Sequence, residues 1–180
     1  MNTKHLALIG VMSAVLCILG PLALPIGPVP ISLGSFAVYL TVYILGMKKG
    51  TISICIYILL GLVGIPVFSS FGGGVGKVMG PTGGYVVGYI LLALIFGFFI
   101  DKWKTNYGFI ALGMVLGTIA LYLLGTLWLA YQAEMSFQAA LAAGVLPFIA
   151  GDIIKMIVAG LVGEQVRKRL WAAGILEQQE

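Results

Sequence analysis

Six apolar runs, separated by short clusters of charge or by Gly- and Pro-rich stretches, succeed one another along the chain. Most approach the ~20 residues an α-helix needs to cross the hydrocarbon core of a bilayer. The pattern predicts helices over residues 6–24, 33–47, 51–64, 84–100, 107–131 and 139–166. Pro25, Pro28 and Pro30 cannot sit inside a continuous helix, so residues 25–35 read as an extended segment. Ile26, Val29 and Ile31 give that segment apolar anchors, which fits a lid folded over one membrane face; a plain connector is the alternative. Lys48-Lys49-Gly50 closes the second run, Pro66 follows the third, and Asp101-Lys102-Trp103-Lys104 closes the fourth. A short polar link, 132–138, joins the last two runs, and Arg167-Lys168-Arg169 ends the sixth.

Two runs carry further spacing signals. In the first, Gly10 and Ala14 are four apart, as are Ser13 and Cys17, a small-xxx-small arrangement that lets another helix approach closely. Gly10 and Ala14 are the candidate docking face for a partner, with ordinary packing inside the bundle as the alternative. In the second run Phe36, Tyr39 and Tyr43 are spaced three and four apart and share one helix face. Such a stripe usually packs a core, yet tyrosine hydroxyls at membrane depth need partners, which favours a polar-lined cavity.

Composition settles the class. The chain is 61% hydrophobic and 9% charged, against about 25% charged for a soluble domain. It reads as one all-α integral membrane domain, a six-helix bundle. The basic residues fall on one side of the alternating runs: Lys4, Lys48, Lys49, Lys102, Lys104, Arg167, Lys168 and Arg169, against Lys77 alone on the other. Cationic loops stay in the cytoplasm, so both termini are expected there. The net charge of +4 is a topology signal and no nucleic-acid footprint. Cys17 and Cys55 lie in apolar runs as small buried residues, and His5 is the only histidine, so neither a disulfide framework nor a metal site is expected.

Against this background the stretch GVLPFIAGDIIK, 144–155, stands out. It places a carboxylate, Asp152, and an amine, Lys155, three apart within the sixth run, on one face of a helix where they can touch. A charge in hydrocarbon costs between roughly 2.5 and 17 kcal/mol depending on how it is assessed, so ionisable residues at that depth mark functional sites by default. A structural ion pair locking one helix to its neighbours is the competing reading. At 1.5 Å per residue Asp152 stands about 22 Å from Arg167, in the outer half of a ~30 Å core.

The Gly-rich segment 67–85 invites a phosphate-loop reading and fails it. A Walker A pattern ending at Gly76-Lys77 needs Gly at 71 and Ser or Thr at 78, where Phe71 and Val78 stand; a GxGxxG from Gly74 needs Gly at 79, where Met79 stands. What remains is a loop leading into Pro81-Thr82-Gly83-Gly84, with Thr82 a candidate helix N-cap and Gly83 and Gly84 allowing close approach of a ligand or another backbone.

Together, PIGPVPISLGSFAVYL, LLGLVGIPVFSSFGGGVGKVMGPTGGYVVGY, GTLWLA and GVLPFIAGDIIK resemble the BioY family, the biotin-binding S components of energy-coupling-factor transporters, in order and over nearly the whole chain. The resemblance implies a six-helix bundle that takes up biotin with a membrane coupling subunit and two ATPases, with no cofactor of its own and ATP only on the partners. It also suggests a ligand fit. Asp152 would accept from the two ureido N–H groups and Lys155 would donate to the ureido carbonyl. Phe36, Tyr39, Tyr43, Tyr122 and Trp128 would wall the rings, and the valerate carboxylate would meet N–H groups around Thr82, Gly83, Gly84 and Tyr85. The reverse pose, carboxylate on Lys155, stays open. A solitary proton-coupled carrier using Asp152 is the alternative function, though the paired broken helices and internal repeat common in such carriers are not evident. An intramembrane enzyme is weaker still, since no nucleophile–base set or HExxH pattern occurs.

Overall fold

The computed structural model describes residues 3–24, 29–103 and 106–176. Its elements in chain order are α1 (Thr3–Leu19), β1 (Ala23–Leu24), β2 (Ile31–Ser32), α2 (Gly34–Leu62), a 3-10 turn (Ser69–Phe71), α3 (Val75–Met79), α4 (Gly83–Lys102), α5 (Tyr107–Gln132), α6 (Phe137–Gly144) and α7 (Ile149–Ala172). Among the described residues, α2, α4 and α5 are each long and apolar enough to cross a membrane, and the pair α6 and α7 makes a fourth such unit, bent by 50°.

Three predicted boundaries move, each for a local reason. The first helix stops at Leu19 rather than at 24. Gly20 is buried where a Cβ would press on the Tyr57 hydroxyl and the Val67 carbonyl, and Pro21 offers no N–H to continue the ladder. The chain turns instead into β1, which pairs antiparallel with β2 in the register Ala23↔Ser32 and Leu24↔Ile31. Of the expected lid 25–35, the part 25–28 lies outside the described residues. The sixth run, expected as one helix over 139–166, is two helices: Pro147 sits in the turn between α6 and α7, where a helix would need its missing N–H. α7 then continues past the basic cluster to Ala172.

The predicted second and third helices are the two arms of α2, which meet at Gly46, whose φ of 75° and ψ of −172° no helix contains. The chain doubles back there. A Cβ placed on Gly50 would stand 3.1 Å from the Val42 Cα, whereas eight residues of straight helix rise about 12 Å. Only a residue free to take positive φ suits this corner. Neighbours secure it with charge. Asp101 at the end of α4 accepts through Oδ2 from the Met47 N–H at 3.1 Å, and Arg167 of α7 donates from Nη1 to the Tyr43 carbonyl at 3.2 Å. The carboxylate thus meets the N-terminal start of the second arm and the guanidinium the C-terminal end of the first, the signs that the two helix dipoles favour.

α4 and α5 pack against each other most extensively, and α2 touches α1, α4 and α7 in turn. Tyr39, Val42, Ile54, Leu92 and Phe96, all buried, centre the main core. Above it, at the end away from the corner at Gly46, the β1–β2 pair and the segment 63–82 meet through the Ser70 N–H, which donates to the Pro21 carbonyl at 3.1 Å. Phe68, fully buried, anchors the second of these loops edge-on against Tyr57, with ring centroids 5.5 Å apart.

Candidate functional site

The bend at Pro147 starts α7 inside the bundle and puts Asp152 in its first turn. The positive end of a helix dipole stabilises a carboxylate in that position. Asp152 is only 4% exposed. Its Oδ1 accepts from Lys155 Nζ at 2.8 Å and from Ser35 Oγ at 3.1 Å, and its Oδ2 accepts from the Tyr122 hydroxyl at 2.7 Å. Lys155 donates also to the Ser32 carbonyl at 2.7 Å and to Ser35 Oγ at 3.1 Å. Its ammonium has three donors and they meet three acceptors. The pair is therefore satisfied by hydrogen bonds as well as by charge, the condition under which burying two ions is tolerated.

These groups line a cavity of about 60 Å³ bordered by α2, α4, α5, α6 and α7 and partly covered by both loops. Asp152, Lys155, Tyr122, Thr82 and Tyr85 from the predicted set are on its wall. Tyr85 also donates to the Gly144 carbonyl at 3.0 Å, linking α4 to the end of α6.

The remaining predicted residues stand elsewhere. Tyr39 is fully buried and shares a 2.6 Å hydrogen bond with Thr118 Oγ1. Tyr43 lies against Phe96, with centroids 6.2 Å apart, near the corner end of the bundle. Phe36 packs half-buried against the main core. The aromatic stripe thus seals helix contacts, and the polar edge of α2 beside it, Ser35, faces the cavity. Trp128 donates from Nε1 to the Gly80 carbonyl at 2.9 Å. Gly83 and Gly84 make room for protein rather than for a ligand: a Cβ on Gly83 would collide with the Val78 carbonyl, and one on Gly84 with the Trp128 ring. Thr82 precedes α4 but its side chain caps nothing. The Gly83 and Tyr85 N–H groups already bond to the Gly80 and Thr82 carbonyls, which leaves fewer free amides there than the sequence suggests. On α1, Gly10 and Ala14 are exposed and a Cβ on Gly10 would meet no atom within 4 Å. The alternative pair divides, with Ser13 buried and donating to the Ile9 and Ser53 carbonyls.

Sequence reasoning missed Ser32, Ser35, Tyr57, Tyr89 and Phe148, all on the cavity wall. Ser35 had a findable signal, one turn before Tyr39 on the same face of α2. Phe148 and Tyr57 had none, being aromatic residues among many in apolar runs.

The model of the BioY family matches residues 1–172. The chain is 36% identical to "Biotin transporter BioY" of Thermotoga maritima over 92% of its length and 96% of that protein. It is 37% identical to "Probable biotin transporter BioY" of Pyrococcus horikoshii over 93% of its length and 98% of that protein. A crystal structure described as the S-component for biotin from an ECF-type ABC transporter superposes with a TM-score of 0.85 at 34% identity, covering 92% of each chain. With its apolar spans, its buried ion pair and these likenesses along almost its whole length, the chain is a multi-pass protein of the cell membrane and belongs to the BioY family.

Proposed function

We propose that this chain is the biotin-binding S component of an energy-coupling-factor importer, capturing biotin from outside and delivering it inward with a membrane coupling subunit and two ATPases. ATP is hydrolysed on those partners. The observation that carries the reading is the Asp152–Lys155–Ser35–Tyr122 cluster, enclosed under two loops in a chain whose relatives are named biotin transporters. The topology that goes with this reading is six membrane spans with both termini in the cytoplasm; the reversal at Gly46, which divides α2 in two, supports the count together with α1 and the bent α6–α7 unit. The basic residues at the corner end of the bundle support the same orientation.

Asp152 and Lys155 are the polar anchors for the ureido group, which offers two N–H donors and one carbonyl. Asp152 exchanges its serine and tyrosine donors for the ureido N–H groups, and Lys155 exchanges the Ser32 carbonyl for the ureido carbonyl. Tyr57, Tyr85, Tyr89, Tyr122 and Phe148 form the wall for the rings. The Thr82 hydroxyl on the cavity wall, rather than the amides beside it, is the donor for the valerate carboxylate; the Tyr85 hydroxyl is engaged with the Gly144 carbonyl. A cavity of about 60 Å³ falls short of the ~300 Å³ at which small-molecule pockets begin. Binding therefore requires the roof loops to part. Lys155 holds the Ser32 carbonyl of one of them, so the exchange at Lys155 releases the roof. Gly10 and Ala14, exposed on α1, form the docking face for the coupling subunit, where small side chains allow close backbone approach.

Calorimetric titration of the purified protein with biotin tests the site. Asp152→Asn is expected to weaken binding at least a hundredfold, about 2.8 kcal/mol at 1.4 kcal/mol per tenfold. Affinity close to that of the unaltered protein would sink the assignment. Uptake measured with and without the ATPases tests the assembly, and full uptake by this chain alone would favour a solitary carrier instead.

A further inference from the structure

A groove of about 380 Å³ opens sideways between α5 and α7, with Ile110, Met114 and Ala111 on one wall, Ile157 and Gly160 on the other, and Tyr43 on the floor. Polar bridges close it at both ends. Thr118 reaches the Met156 sulfur at 3.8 Å toward the cavity, and Tyr107 donates to Glu164 at 2.7 Å toward the corner. Between the bridges the helices stand apart, and a Cβ on Gly160 would meet no atom within 4 Å. From Ile153 to Glu164 the groove follows about 16 Å of helix at 1.5 Å per residue. That is about half of a ~30 Å hydrocarbon core, the depth of one leaflet.

The groove's corner end is basic. Lys168 follows Glu164 by one turn on the same face of α7, with its side chain 63% exposed. Arg169 is next in the chain. Arg167 is turned inward to the Tyr43 carbonyl, so Lys168, paired with the groove-lining Glu164, is the cation at this end. Glu164 takes one donor of its ammonium, and a lysine has three.

We propose that this groove binds one acyl chain of an anionic phospholipid from the leaflet at the basic end, with the lipid phosphate on Lys168. The apolar walls match one leaflet in length, and the cation stands where a headgroup would. The site is separate from the cavity around Asp152.

Native mass spectrometry of the full-length protein, supplied with phosphatidylglycerol or phosphatidylcholine of matched chains, provides the test. The unaltered protein is expected to retain phosphatidylglycerol at least fivefold better. Gly160→Leu puts a side chain into the open groove and is expected to cut that retention at least tenfold. Ala111→Leu fills it from the opposite wall with the same expected result, which guards against misfolding of either variant. Lys168→Gln is expected to bring the two lipids to nearly equal retention. Equal retention by the unaltered protein, or undiminished retention in a folded groove variant, overturns the proposal. Undiminished lipid together with lost co-purification of the coupling subunit would make the groove a seat for a protein helix and overturn it likewise.

Discussion

Asp152 and Lys155 stand 2.8 Å apart with side chains 6% and 12% exposed, and the energy of that contact can be isolated by a double-mutant cycle. At an effective dielectric constant of ~20 the Coulomb attraction over this distance is about 6 kcal/mol, from which desolvation of both ions must be subtracted. Removing one partner leaves the other buried without its counter-charge, at a cost of about 3–5 kcal/mol. The two single variants are not equivalent. Lys155→Met leaves a carboxylate in the first turn of α7, still served by Ser35 and Tyr122. Asp152→Asn leaves an ammonium near the same positive helix end. The dipole favours the first and disfavours the second by roughly 0.3–1 kcal/mol, so Asp152→Asn is expected to be the costlier in the absence of ligand. The double variant removes both charges and is expected to cost about 2 kcal/mol less than the sum of the singles, or better. Denaturant unfolding of the purified protein without biotin measures all four corners. Additive single costs would refute the argument, because they would mean that the two charges do not interact.

Gly144→Ala would drive a Cβ into the Tyr85 hydroxyl. It is expected to destabilise the fold by about 1–3 kcal/mol and to lower biotin affinity at least tenfold in titration, since Tyr85 lines the cavity. Gly46→Ala combines a positive φ with crowding against Asp101; a stability loss of about 1–3 kcal/mol with little change in ligand affinity is expected, read by unfolding and titration in parallel. Trp at Gly10 or Ala14 is expected to abolish co-purification with the coupling subunit and to leave biotin titration unchanged, and intact assembly in both variants would clear α1 of that role. Amide exchange in residues 72–80 is expected to slow when biotin is added, while equal exchange would count against a gating roof.

Much of the architecture was legible because lipid imposes a coarse code. Among the described residues hydropathy located the long helices, and two charges in an apolar run singled out the ion pair that the fold buries beside the two loops. The code is coarse in another respect. A helix apolar on all sides carries no polar face to say which way it turns, so Phe36, Tyr39 and Tyr43 gave a correct stripe and the wrong neighbour. Gly83 and Gly84 were similarly ambiguous, because a glycine that admits a ligand and one that admits a tryptophan have the same sequence. Pro147 was visible, but the apolar residues on both sides of it outweighed one breaker. Ser32 contributes through its carbonyl, a group every residue has and no sequence distinguishes.

The corner at Gly46 has a mechanical consequence. α7 bears the ion pair in its first turns and Arg167 near its other end, where the guanidinium grips the Tyr43 carbonyl. Were α7 to tilt as a rigid rod about Arg167, the arm to Asp152 would be about 22 Å. A tilt of ~5° about that pivot displaces Asp152 by ~2 Å, enough to break its bonds to Ser35 and Tyr122 while the pivot itself stays in place. In that geometry the alignment of the ion pair with the cavity depends on the angle of one helix, and a tilt driven from the corner end displaces Asp152 most.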